Sequence, residues 1–142
     1  MAQDEGMSRA GQGVNAALAA ARSGIDRYTP HETLHAMERG ALVVDTRTET
    51  QRAEQGELPG VVVIDRTILE WRLDPASGAA IAEATGYDLE VVVVCRQGYS
   101  SGLAAASLRS VGLHRATDMI GGVEAWLAAG LPVTSAAADV RR

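Results

Sequence analysis

The sequence predicts an α/β domain built on a largely parallel sheet. Three observations carry this expectation. Short runs of branched apolar residues, Ala41–Asp45, Val61–Ile64 and Glu90–Cys95, have the length and composition of strands buried on both faces. Segments with helical spacing of apolar residues alternate with those runs. The 142 residues, 46% hydrophobic and 22% charged, suffice for one domain to bury a core without staples.

Residues 1–12 are polar and Gly-rich and read as a loose tail, and the Ala-rich stretch 14–23 suits a short helix before Gly24. A domain is expected over residues 25–134, preceded by this tail of residues 1–24. Thr29-Pro30-His31-Glu32 is a helix start: Thr29 caps, Pro30 takes the first position and Glu32 completes a capping box. Leu34 and Met37 supply the expected buried stripe, and Gly40 stops the helix. After the strand ending at Asp45, Thr48–Gln55 is a polar helix or turn, and Leu58-Pro59-Gly60 turns into the second strand. Ile68, Leu69, Trp71 and Leu73 fall at helical spacing and are closed by Asp74-Pro75, and the Ala-rich residues 76–85 are expected to be helical. Four consecutive valines, Val91–Val94, mark the central strand. Leu103, Ala104, Leu108 and Val111 mark a helix ending at Gly112; Asp118-Met119-Ile120 is a last short strand, and Val123–Ala129 a final helix stopped by Gly130-Leu131-Pro132. The tail 135–142 is expected to fray.

Composition removes several functions. Thirteen basic residues face eighteen acidic ones, for a net charge of −5, so neither nucleic acid nor an anionic membrane surface is expected as partner. Every basic residue is Arg, which excludes a Lys Schiff base and a P-loop lysine. Phe is absent, so the core must come from Val, Leu, Ile and Ala. No run is apolar and long enough to span a bilayer. Asp4 and Glu5 do not suit a signal peptide, and a start at Met7 would place Arg9 before a run that is short and holds Asn15. The expected location is cytoplasmic.

Cys95 is the only cysteine, which rules out an intrachain disulfide and a four-Cys zinc site. It is either a core filler or a reactive thiol, and its surroundings favour the thiol. Chemistry in parallel sheets gathers beyond the C-terminal strand ends, where both Asp45 and Cys95 fall. The loop Arg96-Gln97-Gly98-Tyr99-Ser100-Ser101 leads into a helix. Gly98 lets it fold back so that successive N–H groups form an anion nest, and the helix dipole and Arg96 add positive potential. All three favour thiolate over thiol. Tyr99, Ser100 and Ser101 add hydroxyl donors, so an anionic reagent would be drawn in.

Cys95-Arg96-Gln97-Gly98-Tyr99-Ser100-Ser101 resembles the active-site loop of single-domain rhodanese-like sulfurtransferases, roughly C-x-x-G-x-[RS]-S. Three further stretches match in order. Val43-Val44-Asp45-Thr46-Arg47 is similar to the family's D-x-R strand end, Glu57-Leu58-Pro59-Gly60 to its H-I-P-G-A turn, and Ile120-Gly121-Gly122-Val123-Glu124-Ala125-Trp126 to its closing G-G-x-x-x-W. The likeness spans about residues 27–133. It implies a three-layer domain with a mostly parallel five-stranded sheet flanked by helices. It also implies transfer of a sulfane sulfur through a Cys95 persulfide, from a small anionic donor such as thiosulfate to cyanide, a thiol or a thioredoxin-like protein. The implied substrate contacts are Arg96, Gln97, Gly98, Tyr99, Ser100 and Ser101; no cofactor or metal is implied. Two positions depart from the family pattern: Glu57 replaces the usual His, expected to be structural, and Ser100 stands where many members carry Arg.

Other residues have plainer readings. Asp45 and Arg47 suit a structural pair at the strand end better than proton shuttles. Arg96 is either a solvated loop residue or a substrate contact. Trp126 reads as core, while Trp71 is core or pocket wall and with Arg72 could shape a pocket. His31 and His35 have the spacing of a zinc pair but lack a third ligand, and His114 has no motif around it. Two alternatives to the sulfurtransferase share the fold. One is a dual-specificity-type phosphatase, whose C-x5-R loop would need Arg where Ser101 stands. The other is a non-catalytic, persulfide-carrier or regulatory module.

Overall fold

The computed structural model describes residues 11–142, so the reading of residues 1–10, with their tail and signal-peptide features, lies outside the described residues. Among the described residues six α-helices and five strands follow in the order α1 (Val14–Arg22), α2 (Pro30–Glu38), β1 (Leu42–Asp45), α3 (Glu49–Gln55), β2 (Val62–Val63), α4 (Leu69–Leu73), β3 (Val91–Val94), α5 (Ser100–Ser110), β4 (Ala116–Asp118), α6 (Gly122–Ala128) and β5 (Asp139–Val140). The strands form one sheet in the order β4-β3-β1-β2-β5, and every pairing is parallel.

The sheet separates two apolar layers, and the pleat assigns the valines to them alternately. Val44, Val91 and Val93 join Leu69, Leu73, Ala104, Ala105 and Leu108 on the α4–α5 side. Val43, Val92 and Val94 join Ala36, Met119, Val123 and Trp126 on the α2–α6 side. This is the three-layer α/β arrangement, with α1 seated outside α5. In register, Val44 opposes Val93 and Asp45 opposes Val94, so the loops leaving β1 and β3 emerge side by side.

The capping box at α2 forms as expected: Thr29 Oγ1 accepts from the Glu32 N–H at 3.1 Å, and Glu32 Oε1 accepts from the Thr29 N–H at 2.9 Å. Four expectations are corrected. The buried face of α2 is Thr33 and Ala36, with Leu34 and Met37 only half-buried, because small residues let this short helix sit close to the sheet. Residues 76–85 are not helical. Asp74 and Ser77 turn their side chains onto the Ala76 and Ala79 N–H groups, Gly78 adopts φ +81°, and the stretch is a series of turns burying Ile81 and Ala84. The last-but-one strand is 116–118 rather than 118–120; tertiary partners satisfy its polar side chains, Thr117 Oγ1 donating to the Asp26 carbonyl at 2.7 Å. The tail from Ser135 does not fray: Asp139 and Val140 pair with Val62 and Val63 and complete the sheet, while Arg141 is clamped to Glu83 at 2.6 Å.

Candidate active site

Cys95 directly follows β3 and is 5% exposed. Its Sγ accepts a hydrogen bond from the Gly98 N–H at 3.1 Å, so the loop closes back over the sulfur. That closure needs Gly98 at φ +84°, a region open to glycine. It also needs space: a Cβ on Gly98 would stand 2.5 Å from the Gly121 nitrogen, and one on Gly122 2.5 Å from the Cys95 carbonyl oxygen. The Gly121-Gly122 turn therefore lies flat against the loop. From that turn the α6 N-terminus donates to two loop carbonyls, Val123 N–H to Cys95 at 2.9 Å and Glu124 N–H to Arg96 at 3.1 Å.

The thiol is held below its ordinary value. Burial alone would push it up, but the Ser101 and Ser100 hydroxyls and the Ser101 and Gly98 N–H groups outweigh burial by favouring the thiolate. Ser101 carries one hydroxyl proton, and two acceptors compete for it: the sulfur and Asp118 Oδ2, to which it donates at 2.7 Å. The sequence expects Arg96 to add positive potential beside the thiol. Its Nε lies 3.6 Å from Glu124 Oε2, with both side chains about half exposed (47% and 50%), so its charge is partly spent at the surface.

A pocket of about 260 Å³ opens over the sulfur, lined by Thr46, Gln51, Cys95, Arg96, Gln97, Tyr99 and Ser100. Tyr99 stands at its rim, 62% exposed. Gly98 and Ser101 lie behind the sulfur instead; Ser101 is fully buried in the first turn of α5. Asp45 and Arg47 do not reach this pocket. They form a buried ion pair at 2.8 Å, and Arg47 also donates to the Gly56 carbonyl at 2.9 Å, fixing the end of β1 to the end of α3. Glu57 pairs with Arg52 at 2.7 Å, also away from the sulfur. Trp126 is core. Trp71, 59% exposed, lines a separate depression with Glu70, Asp74, Ser77 and Val111, and Arg72 donates to the Ala79 carbonyl, so neither shapes the Cys95 pocket. Among the described residues no group of three or more His, Cys, Asp and Glu is placed to hold a metal ion.

The motif reading missed Thr46, Gln51 and Asp118. The first two had a signal, since Thr48-Glu49-Thr50-Gln51 has capping-box spacing just after a strand end. The box forms, with Gln51 Oε1 accepting from the Thr48 N–H at 3.0 Å, and it sets Gln51 in the first turn of α3 beside the pocket.

A family model of the rhodanese-like domain matches residues 29–129. The chain belongs to the rhodanese-like family. A sulfurtransferase of Allochromatium vinosum is 35% identical over 94 residues, covering 66% of this chain and 78% of that protein. The thiosulfate sulfurtransferase GlpE of Haemophilus influenzae (strain PittEE) is 27% identical over 108 residues, 76% of this chain and 93% of that protein. Among solved structures, RPA3614 of Rhodopseudomonas palustris superposes with a TM-score of 0.77 at 30% identity, covering 87% of this chain and 95% of that one. It is described as a protein of unknown function and possible tyrosine phosphatase. At the level of the rhodanese-like family, the chain is a sulfurtransferase.

Proposed function

We propose that the protein moves a sulfane sulfur from a small anionic donor of the thiosulfate class to a thiophilic acceptor through a persulfide on Cys95. The observation that carries this reading is the Cys95 sulfur, accepting from the Gly98 N–H and shifted toward the thiolate, under a loop whose Cys95 and Arg96 carbonyls are tied to the α6 N-terminus. An anionic sulfur donor needs both features, a soft nucleophile and N–H groups for its oxygens.

In the first step the Cys95 thiolate attacks the outer sulfur of the donor. The Sγ–S bond forms as the donor's own S–S bond breaks, and sulfite leaves with the electron pair. In the second, an acceptor thiolate or cyanide attacks the outer sulfur of the persulfide, and the Cys95 thiolate leaves with its electrons restored. Both steps are displacements at sulfur and balance without a cofactor. Gly98, Ser100 and Ser101 support the charge on Sγ, while Arg96, Gln97 and Tyr99 at the rim meet the donor oxygens. With no second cysteine the chain cannot resolve its own persulfide, so the acceptor enters the same open pocket in turn. A thiol that works in its reduced form suits the cytoplasm.

Intact mass after exposure to thiosulfate tests the reading. One added sulfur on the wild type and none on Cys95→Ser is expected; no added mass, or equal addition to both, counts against it. The phosphatase reading draws on the description of the Rhodopseudomonas palustris protein. It predicts turnover of an aryl phosphate, for which Ser101 stands where the clamping Arg would be.

A further inference from the structure

The loop's third tied carbonyl belongs to Gly98, and its partners come from outside the segment matched by the family model. Arg22 at the end of α1 donates from Nη2 to the Gly98 oxygen at 2.8 Å, and Arg27 Nη2 donates to the same oxygen at 3.2 Å. Arg27 is itself fixed. Its Nε and Nη2 grip the two oxygens of fully buried Asp118 at 2.8 and 3.1 Å, and Asp118 in turn receives the Ser101 hydroxyl. Arg22 is set by packing: α1 lies on α5 where Gly102 leaves no side chain, and a Cβ there would stand 3.0 Å from Leu18 Cδ1 and 3.5 Å from Arg22 Nε.

A trans peptide points its carbonyl and the following N–H in opposite directions, and among the described residues no peptide is cis. Two guanidinium groups holding the Gly98 oxygen on the α1 side therefore set the Tyr99 N–H on the opposite side of that peptide, away from Arg22 and Arg27. Released, the Gly98–Tyr99 peptide is free to rotate about the flexible glycine and present its oxygen, which would repel both thiolate and anionic donor.

We propose that Arg22 and Arg27 are positioning residues for Cys95, and that the segment Val14–Arg27 braces the loop in its anion-binding form by holding the Gly98 carbonyl out of the pocket. The proposal rests on the reading of Cys95 as a thiolate nucleophile, and it extends that site beyond the matched domain. Arg27 adds a second effect. By occupying both Asp118 oxygens it leaves the Ser101 hydroxyl able to turn from the carboxylate to the sulfur once the thiolate forms.

The test measures the pH midpoint of Cys95 alkylation by iodoacetamide, a neutral reagent, together with the melting temperature, in full-length wild type, Arg22→Ala, Arg22→Lys and Arg27→Ala. Arg27→Ala leaves Asp118 without its cation and can destabilise the fold, so Arg22→Ala is the deciding variant. Its midpoint is expected to rise by about one pH unit, a roughly tenfold loss of thiolate well below the midpoint, and to recover in Arg22→Lys, which again offers a charged donor. The rise should persist in about 0.5 M salt, where through-space attraction is screened. A rise that salt abolishes is a through-space charge effect and overturns the positioning role. A wild-type midpoint at the free-thiol value overturns the thiolate reading and the brace with it. A low wild-type midpoint that Arg22→Ala leaves in place overturns the brace alone, including where only the melting temperature falls.

Discussion

In the proposed sulfur transfer the chemistry converges on the Cys95 sulfur, and the groups around it divide into those that would hold its charge and those that would meet a donor. Ser101 belongs to the first set. Ser101→Ala removes one hydroxyl that favours the thiolate, so iodoacetamide alkylation at pH 7 should slow several-fold while the protein stays folded; an unchanged rate would leave the Ser100 hydroxyl and the backbone N–H groups as the support. Because the thiol sits below its ordinary value, wild-type alkylation should remain fast at pH values where a free thiol, near about 8.5, is mostly protonated. Arg96 belongs to the second set. Its link to Glu124 is exposed, so Arg96→Ala should raise the KM for thiosulfate about two- to fivefold and leave the neutral alkylation rate nearly unchanged. Equal slowing of both reactions would place Arg96 in thiolate stabilisation instead. The arrangement around Cys95 was partly legible from residue types: a lone Cys before a Gly- and Ser-containing turn predicts a loop folded back over the sulfur, and the Gly98 N–H does meet it. The chain order could not show that Ser101 points down to Asp118, or that Arg22 and Arg27 reach the loop from more than seventy residues away. Neither contact leaves a periodicity or a motif.

At the scale of elements, strands and caps read directly and short-range competition did not. Four valines in a row favour the extended conformation, and they form β3. Thr29-Pro30-His31-Glu32 names its own helix start, and Thr29→Ala should cost about 1 kcal/mol of stability in urea unfolding, through loss of one accepted N–H. The Ala-rich stretch 76–85 misled because propensity was judged without its neighbours: Asp74, Ser77 and Gly78 each offer the backbone a turn, and burial of Ile81 rewards it. The strand β5 was invisible for a different reason. Its two residues are exposed and carry no apolar pattern, and only the open edge of β2 recruits them. Removal of residues 135–142 should therefore lower the melting temperature and expose the Val62 and Val63 amides to hydrogen exchange, leaving the alkylation midpoint of Cys95 where it was. Unchanged exchange at β2 would show that the tail contributes nothing to the sheet.

For the molecule as a whole, acid stability depends on buried carboxylates at the sheet ends. Glu90 accepts from Arg39 at 2.5 and 3.0 Å and from Tyr28 at 2.6 Å; the Arg39 bond, against the opposing effect of burial, holds its carboxyl below the usual range. A depressed carboxyl contributes stability that is fully present above its unfolded value, about 4.3, and is lost as pH falls through the folded value. Glu90→Gln should accordingly flatten the acid limb of the stability curve below about pH 4.5, while changing its slope little near neutrality. An unaltered acid limb would assign that limb to other carboxylates. The α/β class, the parallel sheet and the loop at its C-terminal edge were legible from chain order, because buried strands and helical spacing are written locally. The bracing of that loop was not, because it depends on where three distant segments meet. The flat seam of Gly98 against Gly121 and Gly122 has a consequence for descent as well as for shape. A side chain on Gly98 would run into the Gly121-Gly122 backbone and one on Gly122 into the Cys95–Gln97 backbone, so neither of these two stretches can drift alone. Under random mutation these glycines should behave as a single inherited unit. Lineages that shift one would survive only by rebuilding the other, and a selection for sulfur transfer would recover them together or lose them together.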